Sequence, residues 1–185
     1  SSAASDVYKR QILVAVGCYV QVAREKLEEI EDIDLILGTK EKKDIVEYVE
    51  RYLRENEKII SVSNMMPTDN YEEFGLITHT ERNRAVIKVE DGCNQFCTYC
   101  IIPYARGRIR SRKAEEVVRE VETLAANGCK EVVLTGIHLS SYGLDHGDNL
   151  LHLIQEAHKV EGIRRIRLGS LEPVSYTHLT LPTTP

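Results

Sequence analysis

The sequence predicts an α/β protein: a partial Rossmann-like N-terminal domain followed by the first part of a (β/α) barrel. Two blocks, over residues 12–62 and 85–168, alternate short apolar runs with helix-like segments, which is typical of parallel sheets. The segment between them contains Pro67, Asp69, Asn70 and Gly75 without periodicity and therefore indicates a linker. We expect domains over residues 12–57 and 83–173, joined by a linker over 58–82.

The first block begins with an apolar run over residues 12–16, which ends at Gly17 and predicts a buried strand. A helix is predicted over 21–30, a strand over 33–37, and a helix over 43–55 whose apolar residues recur at helical spacing. Residues 58–62 are a candidate third strand. We expect these elements to form half of a Rossmann-like sheet, cut at its start.

The second block predicts strands over 85–89, 131–135 and 164–168, with helices over 113–127 and 149–160 between them. Gly128 and Gly162 follow the two helices, where helix C-caps favour glycine. A cysteine-rich loop lies at the C-terminal end of the first of these strands, and barrel enzymes carry their active sites on that rim. Three β/α units do not close a barrel.

Composition narrows the class of protein. The chain has 185 residues, of which 42% are apolar, and a formal net charge of −5, so there is no overall attraction to nucleic acid or membrane. No apolar run approaches the roughly 20 residues that span a bilayer. Three of the five cysteines are crowded together, which favours reduced thiols in the cytoplasm over a disulfide framework.

Both ends of the sequence look foreign to the fold. Residues 1–11 and 174–185 resemble translated adapter sequence, although ordinary chain termini are the alternative, and we exclude them from the prediction of the fold. We expect the meaningful stretch to be 12–173 and to begin and stop within a longer protein.

The most informative feature is the spacing of Cys93, Cys97 and Cys100 within residues 91–103. Three thiols within eight residues can converge on one soft metal centre. A structural zinc site would need a fourth ligand in register, and none follows nearby; ferredoxin-type spacing also differs. The pattern favours a [4Fe–4S] cluster with one iron left open. Packing cysteines, or a zinc loop with an unidentified ligand, are the alternatives.

This spacing, with the aromatic Tyr99 before the last cysteine, resembles the signature of the radical S-adenosylmethionine (SAM) enzymes. The resemblance implies that SAM binds the open iron through its methionine end. An electron from a donor such as flavodoxin or ferredoxin then breaks a carbon–sulfur bond to give a deoxyadenosyl radical.

Three residues are candidate cofactor contacts. Tyr99 is expected to present its backbone to the adenine. Gly136, after the second barrel strand, allows close approach of a ligand, or makes a plain turn. Glu172, after the third strand, is expected to bind a cofactor amine or hydroxyl, with a solvent-facing carboxylate as the alternative.

The whole stretch 12–173 is similar to the methylthiotransferases, radical SAM enzymes that insert sulfur and then methylate it. Taken alone, Cys18 is a small apolar residue at a strand edge. The segment Gly17-Cys18-Tyr-Val-Gln21 matches a family motif, which implies that Cys18 is one of three ligands of a second [4Fe–4S] cluster in the complete protein. We expect the other two upstream, and we expect the fragment alone to be inactive.

Two segments narrow the resemblance, namely residues 134–143 and 167–173. They look most like enzymes that act on N6-threonylcarbamoyladenosine beside the tRNA anticodon, which makes the anticodon stem-loop the expected partner. At 136–139 the sister enzyme for isopentenyl-adenosine typically has Gly-Gln-Asn-Val, and the enzyme for a ribosomal-protein aspartate has Ala-Gln-Asp-Thr. These enzymes are the alternatives, and a non-catalytic iron–sulfur or zinc module is the alternative of another class.

A row of basic residues follows the cysteine loop: Arg106, Arg108, Arg110, Arg112 and Lys113. Such a row can meet a phosphate backbone, or form a solvated edge, and only the family resemblance favours RNA. Cys129 is expected to pack in the core. No histidine is expected to be a metal ligand.

Overall fold

The structure is a computed structural model that describes residues 11–64, 71 and 83–172. The chain divides into two compact units, the first comprising Ser1–Met66 with Tyr104–Arg106 and the second Pro67–Pro103 with Gly107–Pro185. The tail at 174–185, the leader at 1–11 except Gln11, and most of the linker at 58–82 lie outside the described residues. The domain boundaries predicted from sequence therefore stay predictions.

The first unit contains a three-stranded parallel sheet. Its strands are β1 (Val14–Val16), β2 (Leu35–Leu37) and β3 (Ile59–Ser61), in the order β1-β2-β3. Val14 pairs with Leu35, and Leu35 pairs with Ile59. The three strands predicted from apolar runs are therefore present, each shorter than its run. Strand β3 belongs to this sheet although it lies within the segment expected to be a linker.

Helices of the first unit are α1 (Cys18–Val22), α2 (Arg24–Glu28) and, after a 3-10 turn at Glu41–Asp44, α3 (Ile45–Glu55). The prediction of one helix over 21–30 is wrong, because the chain leaves helical geometry at Ala23, where φ is −129° and ψ is 34°. The Gln21 amide accepts a bond from Thr39 N–H at 3.0 Å and donates one to the Ser63 carbonyl at 2.8 Å. These contacts hold α1 against the residues that follow β2 and β3.

Helices cover both faces of this sheet. All three residues of β2 are fully buried. Ile36 packs with Val20 of α1 and Leu27 of α2 on one face. Leu35 and Leu37 pack on the other face, against apolar side chains of α3: Ile45, Tyr48, Val49 and Tyr52. Burial on both faces explains why the strands are continuous apolar runs rather than alternating ones.

The second unit also contains a three-stranded parallel sheet. It is formed by β4 (Arg84–Lys88), β7 (Glu131–Thr135) and β8 (Arg165–Leu168), in the order β4-β7-β8. A short antiparallel pair, β5 (Glu90–Asp91) with β6 (Arg110–Ser111), follows the end of β4. This unit has the strands and the parallel order predicted for the start of a (β/α) barrel.

Helices α4 (Ile102–Ala105), α5 (Ala114–Ala126) and α6 (Leu150–His158) and a 3-10 turn at Leu139–Ser141 complete the described elements. The buried residues of α5 recur at helical spacing and form its core face: Ala114, Val117, Glu120, Val121 and Leu124. Gly128, at φ 89°, ends α5 as predicted, because its N–H binds the Ala125 carbonyl and the next N–H binds that of Leu124. Within the described ranges, no helix is long and apolar enough to cross a bilayer.

Candidate functional site

The cysteine loop leaves the sheet at the C-terminal end of β4 and is closed by the β5–β6 pair. Asp91 pairs with Arg110 in the register of that pair, so residues 92–109 form one excursion from the barrel rim. The Cys93 N–H donates to the Gly107 carbonyl at 3.2 Å, and the Ile109 N–H donates to Asn94 Oδ1 at 3.2 Å. Two hydrogen bonds therefore fix the first half of the loop against its returning arm.

Gly92 is required by this closure. Its φ is 82°, and a Cβ atom there would overlap the carbonyl oxygen of Arg108 and lie 2.8 Å from that of Gly107. A residue with a side chain would suffer both a strained backbone and a collision. The Arg108 guanidinium lies 4.4 Å from the ring centroid of Phe96, at the tip of the loop.

All three loop cysteines are free thiols. Cys93 is buried, Cys100 is half-buried and Cys97 is exposed. The Cys100 N–H donates to the Cys97 carbonyl at 2.9 Å in a turn. Burial raises the pKa of the Cys93 thiol; the Gln95 N–H opposes this rise, and Glu90 and the other two cysteines add to it.

Within residues 11–64, 71 and 83–172, no three His, Cys, Asp or Glu side chains lie close enough together to hold a single metal ion. In an iron–sulfur cluster each cysteine thiolate binds a different iron, so its ligand sulfurs stand farther apart than those around one ion. Three soft donors within eight residues of one pinned loop fit this kind of group. The ligand roles of Cys93, Cys97 and Cys100 stay a prediction.

Tyr99 lies on the open side of this loop, and its side chain is 91% exposed. The ring is therefore not used to hold the loop together. The expectation that its backbone meets an adenine stays a prediction.

Glu90 is a buried carboxylic acid beside the loop that sequence reasoning missed. It is fully buried, its Oε2 accepts the His138 N–H at 2.8 Å, and its Oε1 has no hydrogen-bond partner among the described residues. Burial raises the pKa of Glu90 to about 7, while the N–H groups of His138 and Ile137 oppose the rise. The sequence signal was weak, because Glu90 and Asp91 together look like a solvated turn.

Gly136 is packed directly against Glu90. A Cβ atom on Gly136 would overlap Glu90 Oε2 and lie 3.0 Å from Glu90 Cβ. The space beside Gly136 on this side is therefore filled by a carboxyl of the protein itself. A contact between Gly136 and a cofactor stays a prediction.

His138 and Glu172 meet at the ends of adjacent strands. The Nε2 atom of His138 lies 2.7 Å from Glu172 Oε1, and its Nδ1 atom is hydrogen-bonded to Ser141 Oγ. The His138 side chain is mostly buried, and that of Glu172 is 42% exposed. Sequence reasoning chose Glu172 for its position but gave His138 no role. A cofactor contact of Glu172 stays a prediction.

Cys18 belongs to the first unit. It begins α1 directly after Gly17, whose φ is 111°, and it is half-buried. Arg106, which belongs to the same unit, places its Nε atom 3.0 Å from the Cys18 Sγ atom. A sulfur accepting a hydrogen bond from a guanidinium is a polar environment, unlike that of a packing cysteine. Its role as a cluster ligand stays a prediction.

The basic row is not a continuous phosphate-binding edge. Arg110 and Arg112 are buried, 5% and 8% exposed, so neither a solvated edge nor an RNA contact describes them. Arg110 lies 3.5 Å from Asp91, and Arg112 lies 2.7 Å from Glu120. Arg110 lies in β6 beside Asp91 of β5, and Arg112 follows that strand and pairs with Glu120 of α5. Cys129 is buried in the core of the second unit, as predicted.

Two further histidines contact carboxylates of the protein. His152 lies 2.8 Å from Asp148, and His146 lies 3.3 Å from Asp145. His79 lies outside the described residues.

The sequence is similar to a known superfamily and to known enzymes. Residues 87–170 match the model of the Radical SAM superfamily. The chain is 43% identical over 162 residues to the threonylcarbamoyladenosine tRNA methylthiotransferase MtaB of Aquifex aeolicus (strain VF5), covering 88% of the chain and 40% of that protein. It is 41% identical over 168 residues to MtaB of Bacillus subtilis (strain 168), covering 90% of the chain and 37% of that protein.

A second group of relatives is similar at lower identity. The ribosomal protein uS12 methylthiotransferase RimO of Clostridium botulinum (strain Loch Maree / Type A3) is 38% identical over 170 residues, which cover 90% of the chain and 38% of that protein. The chain thus spans about two fifths of the length of the curated relatives it matches.

Proposed function

We propose that this chain is part of a radical SAM methylthiotransferase, an enzyme that methylthiolates N6-threonylcarbamoyladenosine next to the anticodon of tRNA. One observation carries the proposal. A pinned loop with three free thiols stands at the C-terminal rim of a parallel β/α sheet, inside the segment that matches the superfamily model. The higher identity to the tRNA enzymes than to the ribosomal-protein enzymes favours tRNA as substrate.

Cys93, Cys97 and Cys100 would hold a [4Fe–4S] cluster, and the backbone near Tyr99 and Gly136 would contact SAM. When bound, these groups supply reductive cleavage of SAM, hydrogen abstraction from an unactivated aromatic carbon and, from a second SAM molecule, the methyl group. The protein binds and orients them, and it holds the loop through the Gly107 carbonyl and Asn94.

Cys18 would be one ligand of a second cluster that carries the sulfur to be inserted. The polar contact with Arg106 supports this assignment, because a guanidinium stabilises negative charge on a thiolate sulfur. The reducing electron would come from a donor such as flavodoxin or ferredoxin, and the reaction would take place in the cytoplasm.

The test is mass spectrometry of the modified nucleosides. The complete enzyme is expressed in a strain that lacks its own threonylcarbamoyladenosine methylthiotransferase, and the tRNA is digested to nucleosides. We expect the 2-methylthio derivative of N6-threonylcarbamoyladenosine to appear with the wild-type enzyme and not with Cys97→Ala. Methylthiolated isopentenyl-adenosine, or a methylthiolated ribosomal-protein aspartate without the tRNA product, would overturn the proposal.

A non-catalytic metal module is tested by elemental analysis of the anaerobically purified protein. Iron with equivalent labile sulfide supports the enzyme. One zinc and no sulfide would exclude it.

A further inference from the structure

His138 stands between two hydrogen-bonding partners at the barrel rim. Its Nε2 atom lies 2.7 Å from Glu172 Oε1, and its Nδ1 atom is bonded to Ser141 Oγ. Ser140 Oγ lies 3.3 Å from the same Nε2 atom. A carboxylate only accepts hydrogen bonds, so Nε2 donates to Glu172, while Nδ1 pairs with the Ser141 hydroxyl, which can donate or accept.

The position of the His138 ring is fixed from behind. The backbone N–H of His138 donates to Glu90 Oε2 at 2.8 Å, and its carbonyl accepts the Ser141 N–H at 2.9 Å. The His138 side chain is only 11% exposed. The buried Glu90 carboxyl therefore holds the backbone at His138. That backbone and Ser141 fix the position of the His138 ring, and the ring orients the Glu172 carboxylate.

Glu172 is the accessible end of this arrangement. Its side chain is 42% exposed, whereas the groups that hold it are buried. His138 follows β7 and Glu172 follows β8, so both stand at the C-terminal ends of neighbouring parallel strands. Side chains at this edge of a β/α sheet face bound substrates. A carboxylate held in one orientation is suited to accept hydrogen bonds from a ligand.

We propose that the Glu172 carboxylate accepts a hydrogen bond from the threonylcarbamoyl group of the substrate, with His138 as the positioning residue. This inference rests on the proposed function. The threonylcarbamoyl group offers two kinds of donor, its ureido N–H groups and its hydroxyl, and it also carries a carboxylate. Glu172 would repel that carboxylate, so the contact is made by the ureido or hydroxyl end.

Comparison among the relatives favours the substrate over the cofactor as the partner of Glu172. The relatives named above share methylthiotransferase chemistry, but some modify a nucleoside and others a ribosomal protein. The two segments that carry the resemblance to the nucleoside enzymes, 134–143 and 167–173, contribute one residue each to the His138–Glu172 contact. A contact built from these two segments serves the part of the reaction that differs between the relatives.

The experiment compares two labelled anticodon stem-loops, one with N6-threonylcarbamoyladenosine and one with unmodified adenosine at the same position. Their dissociation constants are measured with the complete reconstituted enzyme and its variants. We expect the wild type to prefer the modified stem-loop by about tenfold, as one charge-assisted hydrogen bond provides. Glu172→Gln and His138→Ala lose this preference and bind the unmodified stem-loop as the wild type does.

His138→Gln keeps a side-chain N–H and is expected to restore part of the preference. Glu122→Gln, on the exposed face of α5, is the matched control and keeps all of it. The affinity for SAM is measured in parallel. A preference that survives in both Glu172→Gln and His138→Ala overturns the inference, and so does a loss of SAM affinity with the preference intact, which would assign Glu172 to the cofactor.

Failure of the proposed function gives a different result. An enzyme that does not methylthiolate N6-threonylcarbamoyladenosine at all, in the nucleoside assay described above, refutes the function itself. An enzyme that does so, with a preference that ignores Glu172, refutes only the inference.

Discussion

At the rim of the barrel sheet, Glu90 fills the space that a side chain at residue 136 would need. A Cβ atom on Gly136 would overlap Glu90 Oε2, the atom that accepts the His138 N–H, and would lie 3.0 Å from Glu90 Cβ. Glu90 is fully buried and cannot move aside into solvent. The backbone of the loop after β7 therefore depends on the absence of a side chain at residue 136.

Gly136→Ala is expected to lower the free energy of unfolding by about 2 kcal/mol, through overpacking and the loss of the Glu90–His138 hydrogen bond. Urea denaturation measures the change. Gly169→Ala is the matched control at the end of the next strand, because its Cβ would lie 3.3 Å from the nearest atom, Thr135 Oγ1. Equal stability of the two variants would contradict the account.

Glu90 makes stability depend on pH. Burial raises its pKa from 4.5 to about 7 in the folded protein. The stabilising contribution of protonated Glu90 is thus complete below pH 4.5 and is lost as the pH rises through 7, because the unfolded chain ionises first. Glu90→Gln removes this dependence and keeps an oxygen that accepts the His138 N–H.

We expect Glu90→Gln to raise the free energy of unfolding at pH 8 by about 1 kcal/mol or more relative to the wild type, and to have a smaller benefit at pH 5. Denaturation series at the two pH values measure this difference. An equal benefit at the two pH values would show that the pKa of Glu90 is not raised and that the carboxyl is already ionised at pH 5 in the folded protein.

Arg112 and Glu120 form an ion pair inside the second unit, with 2.7 Å between Nη1 and Oε2 and side chains 8% and 2% exposed. Arg112→Met removes the guanidinium and is expected to cost about 3 kcal/mol of stability. The double variant Arg112→Met/Glu120→Leu is expected to recover most of that loss, since no carboxylate then remains buried there. Arg119 is exposed on α5, the helix that carries Glu120. Arg119→Met is the control and is expected to change the stability by less than about 0.5 kcal/mol. A double variant no more stable than Arg112→Met would refute this explanation.

Substitution of Gly92 tests whether closure of the cysteine loop is needed to bind the proposed iron–sulfur cluster. Gly92→Ala suffers a positive φ and an overlap with the Arg108 carbonyl, whereas Gly147→Ala has a similar φ of 80° and no atom within 4 Å. Gly147→Ala isolates the backbone strain, about 1 kcal/mol. We expect Gly92→Ala to lose most of the iron bound after anaerobic reconstitution and Gly147→Ala to keep it. Equal iron contents would show that the returning arm does not position the cysteines.

Much of the fold could be predicted because its signals are local. The apolar runs before Gly17 and over 131–135 become strands of the two parallel sheets, and Gly128 ends α5 through hydrogen bonds that only a left-handed residue favours. The cysteine loop was recognisable because its three cysteines lie within eight residues of the sequence. The break at Ala23 was not predictable, and the Gln21 contacts next to it reach Thr39 and Ser63, which no local pattern marks.

Polar residues of the site were less predictable. Arg110 and Arg112 looked solvent-exposed, yet their burial follows from Asp91 and Glu120, whose positions are set by the strand pair and by α5. Glu90 and His138 gain their roles from a contact across 48 residues. No pattern of residue types marks such a contact, because only the adjacency of β4 and β7 brings the two segments together.

The most direct measurement is the formation of 5′-deoxyadenosine from SAM by the reduced, reconstituted enzyme, with Cys97→Ala compared against Cys129→Ala, a free cysteine in the core. The wild type and Cys129→Ala are predicted to form 5′-deoxyadenosine, and Cys97→Ala to form none. Formation by Cys97→Ala at the wild-type rate would contradict the claim that the loop cysteines hold the cluster that cleaves SAM.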